Sequence, residues 1–167
     1  MKEYSIVSNT SPLIAFLKKN ELTILKELFN EILIPKAVYK EITKTSGNFN
    51  KEKEIFENEI KKNWIKIKEI KSLKFPNLNL GKGETEAINL CLETNSPLLL
   101  IDDKRGRIVA KSFKIEILGT LGIFALMYKK NLKEKQNLID NLDLLLKSGF
   151  YYSGDVILNF LKELELL

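Results

Sequence analysis

Leu98-Leu99-Leu100-Ile101-Asp102-Asp103 is four apolar residues in succession followed by two carboxylates. An unbroken apolar run has no polar face, so it reads as a strand covered on both sides, as in a parallel sheet crossed by helices. In such sheets ligands gather outside the carboxyl ends of the strands, where Asp102 and Asp103 stand. The neighbouring residues agree. Leu80-Gly81-Lys82-Gly83 opens a helix to about Glu93, and helix 104–112, strand Ile115–Leu118 and helix 120–129 follow the acidic pair.

Toward the N-terminus the hydrophobic period keeps switching between strand and helix. Residues 4–8 form a short β-rich run ending at the polar turn Asn9-Thr10-Ser11-Pro12. Leu13, Ile14 and Leu17, then Leu22, Leu25, Leu28 and Phe29, follow at helical spacing with a break near Asn20. Ile32-Leu33-Ile34 is a second strand, and Pro35 is placed for the first turn of a helix running to about Thr43. Thr45-Ser46-Gly47-Asn48 is a loop, and residues 51–62 form a charged helix. Residues 64–70 alternate as a half-exposed edge strand whose lysines block stray pairing. Helices near 133–147 and 154–165 end the chain; of their apolar rows, one completes the core and the other can also meet a partner. The order predicts one α/β domain over 1–167, with a core of about 4–130, C-terminal helices at about 133–165, and a central parallel sheet covered on both faces.

Composition narrows the chemistry. At 167 residues, 44% apolar and 29% charged, the chain has the make-up of one folded domain. Its single cysteine, Cys91, lies on a helix face and reads as a buried thiol; the lack of a disulfide framework fits a reducing cytoplasm. No targeting segment and no membrane-spanning run are expected. The net charge of +5 is compatible with a polyanionic partner. Histidine is absent, which removes Ser–His–Asp and Cys–His catalysis and histidine-ligated zinc. Chemistry must come from carboxylates, hydroxyls, lysines, arginines or a metal held by oxygen.

The acids of interest sit at expected strand and helix ends. Asn9 follows the first strand and Asp102–Asp103 the fourth, so their tips meet if those strands are neighbours. Glu84 and Glu86 lie in the first turn of the helix before the fourth strand, and Glu41 near the end of the helix after the second. Acids gathered in one cleft repel one another unless a cation neutralises them. Oxygen ligands alone suit Mg²⁺ or Mn²⁺. Simpler roles exist for each: an acid in a first helical turn favours the helix dipole, Glu41 can be a solvated helix residue, and Asn9, Ser11 or one aspartate can cap a helix.

Five segments together carry a resemblance: Ile6-Val7-Ser8-Asn9-Thr10-Ser11-Pro12-Leu13-Ile14, Ile34-Pro35-Lys36-Ala37-Val38-Tyr39-Lys40-Glu41-Ile42, Gly81-Lys82-Gly83-Glu84-Thr85-Glu86-Ala87-Ile88, Leu99-Leu100-Ile101-Asp102-Asp103 and Gly119-Thr120-Leu121-Gly122. In this order they resemble the PIN-domain superfamily, and more narrowly its DUF3368, VapC-like branch. The resemblance implies a PIN-like three-layer α/β/α sandwich with a central parallel sheet. It also implies Mg²⁺- or Mn²⁺-dependent ribonuclease activity, commonly as the toxin of a toxin–antitoxin pair. By motif the catalytic set is Asn9, Glu41, Glu86 and Asp103. Asn9, Glu86 and Asp103, with Asp102 and Glu84 beside them, are the metal set. Ser11, with Thr10, shapes the site. Asn9 departs from the usual aspartate, and Asp102 or Glu84 can supply the missing charge.

The expected reaction is hydrolysis of a phosphodiester in single-stranded or looped RNA, with Lys82, Lys104, Arg105 and Arg107 placed to hold flanking phosphates. The expected partners are RNA, a small antitoxin protein and a second copy in a homodimer. The alternative is a PIN-like nucleic-acid-binding module, weakly catalytic because of Asn9. A phosphoacceptor receiver domain would want its acid pair after the first strand, and a 5′-nuclease relative would need clamp or arch elements beyond this length.

Overall fold

The computed structural model describes residues 5–44 and 47–167. Tyr4 of the expected first strand and Thr45–Ser46 of the expected loop lie outside the described residues. The elements run β1 (Ile6–Ser8), α1 (Thr10–Lys18), α2 (Leu22–Phe29), β2 (Ile32–Pro35), α3 (Lys36–Thr43), α4 (Asn50–Lys61), β3 (Ile65–Lys68), α5 (Lys82–Thr94), β4 (Leu98–Leu100), α6 (Lys104–Ser112), β5 (Glu116–Leu118), α7 (Thr120–Lys129), α8 (Lys135–Lys147) and α9 (Gly154–Glu163). Pro35 closes β2 and stands at the N-cap of α3, one place earlier than its expected position inside that helix. Many helices stop on asparagine: Asn20, Asn30, Asn63, Asn95 and Asn131 take a positive φ at or just past the ends of α1, α2, α4, α5 and α7. The short polar side chain of asparagine tolerates that region better than other non-glycine residues do.

The chain divides into two compact units, Met1–Leu118 and Gly119–Leu167. In the first, five parallel strands lie in the order β3-β2-β1-β4-β5. The chain steps outward from β1 to β3, then returns past β1 to lay down β4 and β5. Right-handed crossovers place α1–α4 on one face and α5–α6 on the other, because the direction of travel reverses between those sets. This is the expected α/β/α sandwich. Val7, Leu33 and Leu99, in register across β1, β2 and β4, pack with Ile88 and Cys91 of α5 and Ala110 of α6. Cys91 is buried there, and burial pushes its thiol pKa up, as an inert core residue requires. As expected, β3 is an edge strand.

The segment between β3 and α5 is tied down ahead of the site. The Asn89 side chain pairs with both backbone groups of Phe75 at 3.0 Å, and the Phe75 ring meets Phe113 at 4.8 Å. The second unit holds α7, α8 and α9. Leu138, Leu142 and Leu145 of α8 and Phe160 and Leu164 are buried, Phe124 meets Phe160 at 6.2 Å, and Leu146 and Leu158 are exposed. Among the described residues no helix is long and apolar enough to cross a membrane.

One buried acid outside the strand ends supports the start of β3. Glu59 of α4 accepts hydrogen bonds from the indole of Trp64 at 2.6 Å and from Lys62 at 2.7 Å. Burial works against its charge, but the bonds from Lys62 and Trp64, with the charges of Lys62 and Lys26, outweigh it and hold the carboxyl below the usual range. A depressed folded-state pKa contributes stability that is complete above the ordinary carboxylate range and is lost as the pH falls through and below it. Trp64 is the sole tryptophan, so its fluorescence reports this region alone. Glu59→Ala should destabilise the chain by about 1–3 kcal/mol in urea unfolding at pH 7. That loss should shrink as the pH is lowered; a constant difference down to acid pH would contradict the charged role.

Candidate functional site

The sheet changes its direction of growth between β1 and β4, the neighbouring pair on which the site reading depends. Val7 lies opposite Leu99 and Ser8 opposite Leu100. One residue on, the Asn9 backbone N–H donates to Leu100 O at 2.8 Å, so the ladder carries past β1 and brings Asn9 level with the acidic end of β4. Crevices of this kind are the ligand-binding places of open α/β sheets. Each helix that follows a parallel strand also begins at this edge, so the electropositive N-termini of α1, α3, α5 and α6 lie along it.

Asn9 is the N-cap residue of α1, but its side chain does not cap the helix. It is 1% exposed; Nδ2 donates to Glu84 Oε1 at 3.3 Å, and Oδ1 is buried with no hydrogen-bond partner in the protein. A buried acceptor left unsatisfied costs about 1–3 kcal/mol, and capping would have been an easy remedy. The arrangement instead withholds an oxygen at the crevice, beside a carboxylate.

Asp103 caps α6, its Oδ2 accepting from Gly106 N–H at 2.6 Å. Gly106 brings two acids together. The position its Cβ would take lies 3.4 Å from Asp103 Oδ2 and 3.5 Å from Glu84 Cγ. Asp103 and the Glu84 side chain thus flank Gly106, and Glu84 in turn accepts from Asn9. Asp102 is half-buried between Ile101 and Asp103.

Glu41 and Glu86 are each held by a different partner. Glu41 Oε1 accepts from Gly83 N–H at 3.1 Å, and its Oε2 accepts from the Thr10 hydroxyl. Glu86 Oε2 accepts from Ala37 N–H at 2.9 Å. Thr10, the residue after Asn9, thus holds Glu41, and Ser11 is half-buried in the first turn of α1. Lys82 is exposed at the start of α5; Lys104 and Arg105 are exposed and Arg107 half-buried at the start of α6.

Sequence reasoning passed over the glycines. A Cβ on Gly81 would collide with Glu84 Oε2, and one on Gly83 would stand 2.6 Å from Glu41 Oε1. At both places a carboxylate occupies the room a side chain would need. Two glycines bracketing a lysine just before two glutamates was the available signal.

The donors are a buried amide oxygen and carboxylates, a hard all-oxygen set that fits Mg²⁺ or Mn²⁺. Among the described residues no three His, Cys, Asp or Glu side chains form a cation site by themselves, so the Asn9 oxygen matters to that fit.

No curated protein matches the chain. A PilT N-terminus domain protein from the hyperthermophilic archaeon Sulfolobus solfataricus P2 has a similar structure, at 21% identity and a TM-score of 0.50, over 70% of this chain and 87% of that one. A domain of a functionally unknown protein from Methanocaldococcus jannaschii DSM 2661 matches at 20% identity and a TM-score of 0.45, over 70% of this chain and 90% of that one. The DUF3368 family model, described as a PIN domain, matches residues 5–166, which run through both compact units. The chain belongs to the DUF3368 family of PIN domains, a nuclease fold.

Proposed function

We propose that the chain is a Mg²⁺- or Mn²⁺-dependent endoribonuclease whose cation is held by Asn9, Glu84 and Asp103, with Asp102 alongside. The observation that carries this reading is the buried, unpartnered Oδ1 of Asn9 next to Glu84. A cation there supplies Lewis acidity toward the scissile phosphodiester and the attacking water. Asn9 and Glu84 hold their oxygens at the crevice, and Glu41, fixed by Thr10 and Gly83, offers a carboxylate to orient the water. Lys82, Lys104 and Arg105 stand exposed at helix starts on this edge, where they can neutralise flanking phosphates of a single strand. The cellular setting in this reading is a cytoplasmic toxin–antitoxin pair, with a small antitoxin protein and a second copy of the chain as partners.

A second reading is a nucleic-acid-binding module with little catalysis. It is favoured by the neutral amide at position 9 and by the lack, among the described residues, of an acidic trio close enough to hold a cation alone.

Single-turnover cleavage of unstructured RNA in Mn²⁺ separates the two. The wild type should cleave, and Asp103→Asn and Glu84→Gln should each slow it about a hundredfold or more while RNA binding persists. Binding without cleavage by the wild type would establish the second reading instead.

Asn9→Asp tests the amide directly. It sets a second carboxylate where Nδ2 now donates to Glu84 at 3.3 Å. The metal-free variant should melt lower by about 3 °C or more, roughly 1 kcal/mol for a chain of this size. Its Mn²⁺ affinity should exceed the wild type's, so that saturating Mn²⁺ restores the melting temperature. A variant equally stable without metal and no tighter for Mn²⁺ would contradict the placement.

A further inference from the structure

Helices α3 and α5 begin on Pro35 and Gly81, neither of which has a side-chain acceptor for the free N–H groups of a first turn. Each helix is capped by the other. The second residue of α3, Ala37, gives its N–H to Glu86 from the second turn of α5, at 2.9 Å. The second residue of α5, Gly83, gives its N–H to Glu41 from the second turn of α3, at 3.1 Å. A carboxylate at a helix N-terminus gains from both the charge-assisted bond and the dipole. The two bonds work on the same pair of bodies. One fixes where α3 starts, and the other uses a carboxylate further along the same helix.

Glu41 has little room for error. Its carboxylate fills the space that a Cβ on Gly83 would take, with both oxygens within 2.7 Å of that point. Its second oxygen accepts from Thr10, the residue after Asn9.

We propose that Glu86 is a positioning residue: through Ala37 N–H it holds α3 where Glu41 can meet Gly83 and Thr10 beside Asn9. Its significance rests on the proposed metal-dependent function, since Glu41 borders that site. Glu86 acts through α3 and touches neither cation nor substrate.

The test uses the full chain without metal and reads amide hydrogen exchange at Gly83 by NMR, with the Ile101 amide, bonded to Leu118 O, as the reference for global opening. Glu86→Ala should speed exchange at Gly83 about tenfold beyond any change at Ile101, because losing one cap loosens the other. Glu86→Gln keeps a carbonyl acceptor for Ala37, so Gly83 exchange and Mn²⁺ affinity by calorimetry should both stay within about threefold of wild type. Unchanged Gly83 exchange in Glu86→Ala would overturn the proposal. So would a Glu86→Gln variant that keeps Gly83 protection but loses Mn²⁺ affinity tenfold or more, since that marks a metal ligand. If Glu86→Ala does not fold, the Gln variant decides. A wild type that binds no Mn²⁺ would defeat the proposed function, whereas the exchange comparison would still judge the coupling of the two caps.

Discussion

A parallel sheet that grows first one way and then the other must leave a gap where the directions part. In this chain the gap lies between β1 and β4, because strands β2 and β3 are laid on one side of β1 and β4 and β5 on the other. Helices on opposite faces diverge beyond those strands, while Ser8, Asn9, Leu100 and Ile101 at the strand ends are themselves buried. The bond from Asn9 N–H to Leu100 O holds the two ends level. Asn9, Asp102 and Asp103 owe their proximity to that one reversal, and among the described strands only β1 and β4 are neighbours across it.

The same topology explains how so many carboxylates can share one edge. Helix N-termini point there, and Asp103, Glu41 and Glu86 each accept a backbone N–H from one. Such an interaction stabilises an anion by about 0.3–1 kcal/mol, up to about 2 kcal/mol when partly buried. Carboxylates gathered along one edge repel one another, and the Asp103 carboxylate and the Glu84 side chain flank Gly106. The helix ends offset part of that repulsion. Glu84 takes its one observed hydrogen bond from a neutral amide whose own oxygen is left without a partner. In the proposed function a cation would complete the local balance at Asn9 and Glu84, whereas one oxygen each of Glu41 and Glu86 is engaged in capping.

Much of the fold could be read from periodicity. The apolar run at β4, the alternation at β3 and the polar breaks between helices placed nearly every element, and the absence of histidine directed attention to oxygen chemistry. The adjacency of β1 and β4 was only a condition in the sequence, since strand order depends on contacts between distant segments. Glu84 and Glu86 show the limit most clearly. Residues two apart on a helix do not face the same way, so only one of them can meet Asn9, but nothing local says which. Packing decides it: Glu84 reaches Asn9, and Glu86 reaches Ala37. The mutual capping of α3 and α5 was equally hidden, although acceptor-free Pro35 and Gly81 at two helix starts posed the question that it answers.

The central claim is that the crevice between β1 and β4 holds a divalent cation through the withheld oxygen of Asn9. Crystals of the chain soaked in Mn²⁺ and measured for anomalous scattering would locate the ion directly. The account predicts a peak within about 2.6 Å of Asn9 Oδ1 and of a carboxylate oxygen of Glu84 or Asp103. A peak coordinated by Glu86 in place of Asn9, or none at this crevice with Mn²⁺ in large excess, would contradict it.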